Sequence, residues 1–261
     1  MGIRRSLATF AAVALTAGAL LFAPARSQAQ APGSKEAREQ AAELNTQLAL
    51  AYMREGNLAA AREKIDKALG QNGRTALTQM AAGFIYDRLG DVRKASSHYE
   101  LAVKLGKDDP DVLNNAAVYF CRTGEYKRGE ELLLQAASSA LYRTPDVAYT
   151  NAGRCARSDG RAKDAEQHYR KALSINPRQP DALLEMAELT QAGGNGLQAR
   201  AFLERYTAVA PVTAATLWLA RRIELDLGDT AQAARYARRL KDEFPLSTEA
   251  GLLFDEEQAK Q

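Results

Sequence analysis

Cysteine and histidine are both scarce: two of each in 261 residues. Two cysteines exclude a scaffold built from several disulfides and a four-thiolate zinc site. Two histidines argue against histidine-rich metal chemistry. Tryptophan occurs once and proline eight times. The longest apolar run, Leu7 to Phe22, falls short of the roughly 20 residues that a spanning helix needs. A formal charge of +3 is too small to indicate nucleic-acid binding, which requires a strong basic patch. Hydrophobic content of 46% and charged content of 26% are ordinary for a soluble globular chain.

The apolar run follows Arg4 and Arg5 and precedes Pro24 and a stretch of small residues. That order is the pattern of a secretory signal peptide, here residues 1–29 with cleavage after Ala29. Ala29-Gln30-Ala31 and Ala23-Pro24-Ala25 are alternative cleavage sequences, an uncleaved anchor is the alternative fate, and the arginine pair is a poor match to a twin-arginine signal. The leader holds Arg4, Arg5 and Arg26 and no acidic residue, so without it the chain is formally neutral. No cysteine precedes Cys121, so no lipid-acceptor cysteine and no direct lipid anchor are expected. Residues 30–41 read as a tether.

What the remaining sequence has in abundance is repetition. Glycine is followed five residues later by a small residue at Gly56/Ala61, Gly90/Ala95, Gly124/Gly129, Gly160/Ala165, Gly194/Ala199 and Gly228/Ala233. The glycines are 34 residues apart, except for 36 between Gly124 and Gly160. Offsets of three and four between apolar residues within each unit indicate two helices. Glycine can adopt positive φ and end the first helix. The small residue lets the second helix come close. Ile65, Tyr99, Leu133, Tyr169 and Leu203 fill the space between the two. Pro177, Pro211 and Pro245 stop the last three second helices.

These residues resemble the tetratricopeptide repeat. The resemblance implies an all-α, right-handed superhelical solenoid of six helix-turn-helix repeats over residues 42–246. The repeats start near Ala42, Ala76, Pro110, Asp146, Pro180 and Ala214. Residues 247–261 read as the polar capping helix that a solenoid needs. Such arrays bind partners on a concave face.

The stripe of the first helices that would face this groove contains Glu43, Thr46, Leu50 and Met53, then Leu77, Met80, Phe84 and Asp87, then Asp111, Asn114, Val118 and Cys121. We take Thr46, Leu50, Met53, Leu77, Met80, Phe84, Asn114 and Val118 as candidate partner-binding residues. Their apolar middle, with two methionines and a phenylalanine, suits an adaptable groove for an apolar or amphipathic segment. Burial in an ordinary core, or cover by the tether, is the alternative. In repeats four to six the stripe is polar and charged: Val147, Thr150, Arg154 and Arg157; Asp181, Leu184, Glu188 and Gln191; Ala215, Trp218, Arg222 and Leu225. The Lys and Asn positions of carboxylate-clamping arrays are occupied here by Thr46, Leu50, Met80 and Phe84, which does not support that mode.

Cys121 and Cys155 lie on first helices of neighbouring repeats, on either side of the longer junction. In an exported protein they are expected to form a disulfide, with two separate buried thiols as the alternative. His98 and His168 occupy equivalent positions two repeats apart, too far to share a metal, and read as surface helix residues. No phosphate loop or catalytic constellation stands out, so neither an enzyme nor a cofactor or metal is expected.

Several segments resemble the type IV pilus biogenesis and stability family, PilF or PilW. They are Asn114-Asn115-Ala116 through Cys121-Arg122, Leu141-Tyr142-Arg143-Thr144-Pro145, Asn151-Ala152-Gly153-Arg154-Cys155, the run from Pro180 to Ala187, and Leu217 to Arg222 with Phe244-Pro245. The resemblance implies a non-enzymatic periplasmic scaffold that assists assembly or stability of the outer-membrane secretin. The partner would be that secretin or another pilus component, with no nucleic acid. Membership at the outer membrane would then come through a partner, since the family's usual lipid-acceptor cysteine is missing. A general envelope scaffold unrelated to pili is the alternative.

Overall fold

A computed structural model describes residues 33–259; the expected signal peptide and residues 30–32 of the tether lie outside the described residues. Thirteen helices and no strand are found among them. They are α1 (Lys35–Arg54), α2 (Leu58–Asn72), α3 (Ala76–Arg88), α4 (Val92–Leu105), α5 (Pro110–Arg122), α6 (Tyr126–Ser138) and α7 (Pro145–Ser158). The second half continues with α8 (Ala162–Ile175), α9 (Pro180–Ala192), α10 (Gly196–Thr207), α11 (Ala214–Asp226), α12 (Thr230–Glu243) and α13 (Thr248–Gln258).

All six repeat glycines have φ between +75° and +92°. At the first, the Asn57 amide donates to the Tyr52 carbonyl at 2.9 Å and the Gly56 amide to Met53 at 3.0 Å. This reciprocal pair satisfies the last carbonyls of the helix and needs a left-handed residue between them. The same pair recurs at every repeat, ending with Asp229 to Glu224 and Gly228 to Leu225. The residue after the glycine begins the next helix. Asn57, Asp91 and Asp229 cap α2, α4 and α12 by accepting from the amides of Ala60, Lys94 and Gln232.

Within a repeat the two helices meet through residues sixteen apart whose sizes are complementary. Ala49 with Ile65, Ala117 with Leu133 and Ala187 with Leu203 pair a methyl with an aliphatic chain. Gly83 and Gly153 face the rings of Tyr99 and Tyr169, which leave no room for a Cβ. The last repeat inverts the order, with Arg221 opposite Ala237. There the buried Arg221 donates to Glu256 of α13 at 2.6 Å. Leu253 and Ala250 of the same helix close the core over Leu217 and Leu240. Each fully buried leucine or isoleucine stabilises the stack by about 2 kcal/mol.

Two expectations are corrected. The first helix begins at Lys35, not near Ala42, because Ser34 accepts from the Ala37 amide and good helix formers follow. The capping helix is not wholly polar outside, since Leu252 and Phe254 are exposed. The two extra residues fall in the α6–α7 connection, where Tyr142 is buried against Leu113, Leu133 and Ala148.

The first helices touch one another in sequence: α1 with α3, α3 with α5, α5 with α7 and α7 with α9. Each second helix packs on the first helices of its own and the next repeat, with no comparable contact between second helices. The row that approaches more closely is the inner side of a curved stack. The odd-numbered helices therefore line the concave face.

Candidate functional groove

A cavity of about 430 Å³ opens on this inner row across α1, α3, α5 and α7. Leu50, Met80, Phe84 and Val118 supply its apolar lining, and Asn114, Asn115 and Asn151 its polar lining. Phe84 and Val118 each expose about two-fifths of their surface, 41% and 43%. Their positions follow from helical phase, since Phe84 is four residues beyond Met80 and Val118 four beyond Asn114. Beneath them Tyr99 stacks on Tyr119 with ring centroids 4.4 Å apart. Burial pushes both hydroxyls above the ordinary tyrosine range. One rim is closed by Arg122 and Asp87, 2.5 Å apart.

Five of the eight sequence-selected residues, Leu50, Met80, Phe84, Asn114 and Val118, thus line one cavity. Leu77 is exposed in an adjoining cavity of about 640 Å³. Met53 is half-buried against the core shared by α1 to α5. Thr46 is a correction: it is fully buried between α1 and α3. Its hydroxyl donates to the Ala42 carbonyl at 2.8 Å and lies 3.0 Å from that of Thr78. The close approach of these helices turns a groove position into a contact. Asn114 is also nearly buried, and its Oδ1 accepts from Asn151 Nδ2 at 3.1 Å across the α5–α7 contact. Asn115, Asn151 and Arg122 were not selected. They stand one residue beyond the chosen stripe, so a wider stripe would have included them.

The groove changes character at α7. Glu185 accepts from Arg154 Nε at 2.6 Å, from Arg157 at 2.8 Å and from the Tyr169 hydroxyl at 3.0 Å. Arg157 also reaches Glu188 at 2.8 Å, and Asp181 lies 3.6 Å from Arg154. Burial opposes ionisation of Glu185, but the bonds from Arg154, Tyr169 and Arg157 outweigh it and hold its carboxyl below the ordinary range. The charges of this polar stripe neutralise one another while Arg154, Arg157, Glu188 and Asp181 stay partly exposed.

Cys121 and Cys155 are joined, with Cα atoms 5.3 Å apart, within the range a disulfide requires. The bond ties α5 to α7 beside the Asn114–Asn151 contact. It also accounts for the one repeat with glycine in place of alanine. A Cβ on Gly129 would overlap Cys121 Sγ and approach the Ala117 carbonyl to 3.0 Å.

The histidines are not plain surface residues. His98 Nδ1 lies 2.7 Å from Gln79 and its ring stacks on Tyr86; burial lowers its pKa. His168 Nε2 lies 2.8 Å from Glu130, which Arg161 also contacts. Among the described residues no three His, Cys, Asp or Glu side chains cluster as a metal-binding set. No helix among them is long and apolar enough to cross a membrane.

Paired helices, a left-handed glycine in every turn and an inner row lined by first helices define a repeat solenoid of the kind that holds protein partners. Models of the tetratricopeptide repeat match residues 122–180, 156–223 and 214–247. The chain folds as a tetratricopeptide repeat solenoid, and over most of its length it is similar to type IV pilus factors. It is 26% identical to the type IV pilus assembly protein PilF of Pseudomonas aeruginosa over 212 residues, 81% of this chain and 84% of that protein. The crystal structure of PilW, a widely conserved type IV pilus biogenesis factor, superposes with a TM-score of 0.76 at 27% identity, covering 82% of this chain and 99% of PilW. The Pseudomonas aeruginosa PilF structure gives 0.71 at 26% identity, covering 86% of this chain and 99% of that one.

Proposed function

We propose that the protein is a periplasmic scaffold without catalytic activity that assists type IV pilus biogenesis. It holds a segment of the outer-membrane secretin, or of a companion assembly protein, in its concave groove. The observation that carries this reading is the apolar cavity formed by Leu50, Met80, Phe84 and Val118 on the inner row. Exposed apolar surface of this kind on a repeat protein is an interaction site rather than core. Methionine adapts its shape to a bound segment. Similarity to PilF over most of the chain supports the pilus context. The Cys121–Cys155 bond supports an oxidising compartment.

The test is deletion of the gene, complemented with the wild type or with Met80→Glu/Phe84→Glu. The wild type restores twitching motility and secretin multimers, and the double variant restores neither and fails to capture the partner in pull-downs. Unchanged capture by the variant removes the groove from the function. Normal motility and multimers without the gene remove the pilus role and favour a general envelope scaffold.

A further inference from the structure

We propose that the segment held in the groove is extended and carries lysine or arginine three to six residues from its apolar anchor, seated over a carboxylate corner between α1 and α3. The inference rests on the groove reading and adds the partner's chemistry. The cavity of about 640 Å³ beside the apolar one is lined by Glu36, Glu39, Gln40, Glu43, Thr75 and Leu77, with Thr46 and Thr78 in its floor. No Lys or Arg lines it. The carboxylate nearest a cation is Glu39, whose Oε1 lies 3.9 Å from Lys35 Nζ at the first turn of α1.

Elsewhere on the inner face most carboxylates are compensated within the chain, although Asp111 is exposed. Asp87 is paired with Arg122, and Glu185, Glu188 and Asp181 with Arg154 and Arg157. The α1–α3 corner gathers three carboxylates, Glu36, Glu39 and Glu43, around one cavity. It lies along the same helices as the apolar site: Glu43 and Leu50 are both on α1, and Leu77 and Phe84 both on α3. At 1.5 Å per residue, Glu43 is about 10 Å and Glu36 about 21 Å from Leu50 along α1. An extended segment advances about 3.3 Å per residue, which sets the spacing of three to six. Complementary charge at this corner also speeds encounter and disfavours acidic competitors.

The experiment is selection of a random 12-residue peptide library displayed on phage against the exported, purified protein. Clones are then measured on the wild type, Phe84→Ser and Glu36→Gln/Glu43→Gln, each shown to melt like the wild type. The expected clones lose binding to Phe84→Ser and carry Lys or Arg at the stated spacing from a large apolar residue. They bind Glu36→Gln/Glu43→Gln about three- to tenfold more weakly, with a smaller salt dependence. Groove-dependent clones without basic enrichment, or clones indifferent to the glutamine variant, overturn the inference and leave the groove standing. Absence of any clone sensitive to Phe84→Ser overturns the groove reading and the inference together. Self-association of the chain that Phe84→Ser abolishes makes a second copy the occupant and overturns the proposal.

Discussion

The disulfide and Gly129 form a coupled pair, and a double-mutant cycle measures the coupling. Removing the bond with Cys121→Ala/Cys155→Ala frees a loop spanning a separation of 34 residues. The chain-entropy relation values that closure at roughly 4 kcal/mol. Gly129→Ala in the intact protein pushes a methyl into Cys121 Sγ and the Ala117 carbonyl. Overpacking of this sort costs about 1–3 kcal/mol, offset by about 1 kcal/mol from alanine's better helix propensity. The net expected loss is up to about 2 kcal/mol. Without the sulfur, and with α5 no longer tied to α7, the same substitution falls to near neutral. The coupling is therefore up to about 2 kcal/mol, against a usual additivity error of about 0.3–0.5 kcal/mol. Urea unfolding of the four proteins measures it, with thiol labelling under non-reducing conditions to confirm the oxidised state. Equal cost of Gly129→Ala in both backgrounds would refute the explanation of the glycine. Two free thiols in the exported wild type would refute the bond itself.

Two further predictions follow from packing and charge. Glu185 has a folded pKa below its ordinary 4.5, so its contribution to stability is full above that pH and lost as pH falls through the lower folded value. Thermal melts of Glu185→Gln are expected to lie below the wild type at neutral pH, with the difference shrinking below pH 4.5; a difference independent of pH would contradict the assignment. Gly83→Ala alone forces Tyr99 to move, whereas Gly83→Ala/Tyr99→Leu reproduces the Ala–Leu pairing of Ala117 with Leu133. Chemical denaturation should show a smaller loss for the double variant than the two single losses added together; simple additivity would refute the size-matching account.

Much of this architecture was legible in the chain because its determinants are local. A positive-φ glycine, the cap beside it and the small residue five positions on act within two turns of one another. They recur at fixed spacing, so six helix pairs can be counted without knowing how they stack. The capping helix and the longer α6–α7 junction were legible for the same reason. Position along a helix also placed the apolar residues of the cavity, since Leu50, Met80, Phe84 and Val118 share one phase.

Periodicity could not decide how near neighbouring first helices come. That distance turned Thr46 from a groove residue into a buried contact with Thr78. It brought Asn151 against Asn114, and it drew the charges of Arg154, Arg157 and Glu185 into one paired network. It also brought Cys121 to Cys155, which the sequence allowed but left beside the alternative of two thiols. The sequence by itself determined the repeat, because hydrogen bonds and steric limits between residues a few positions apart suffice for it. Only the tertiary structure decided which inner-row side chains are buried, paired or open to a partner, because that depends on contacts between residues 28 to 37 positions apart.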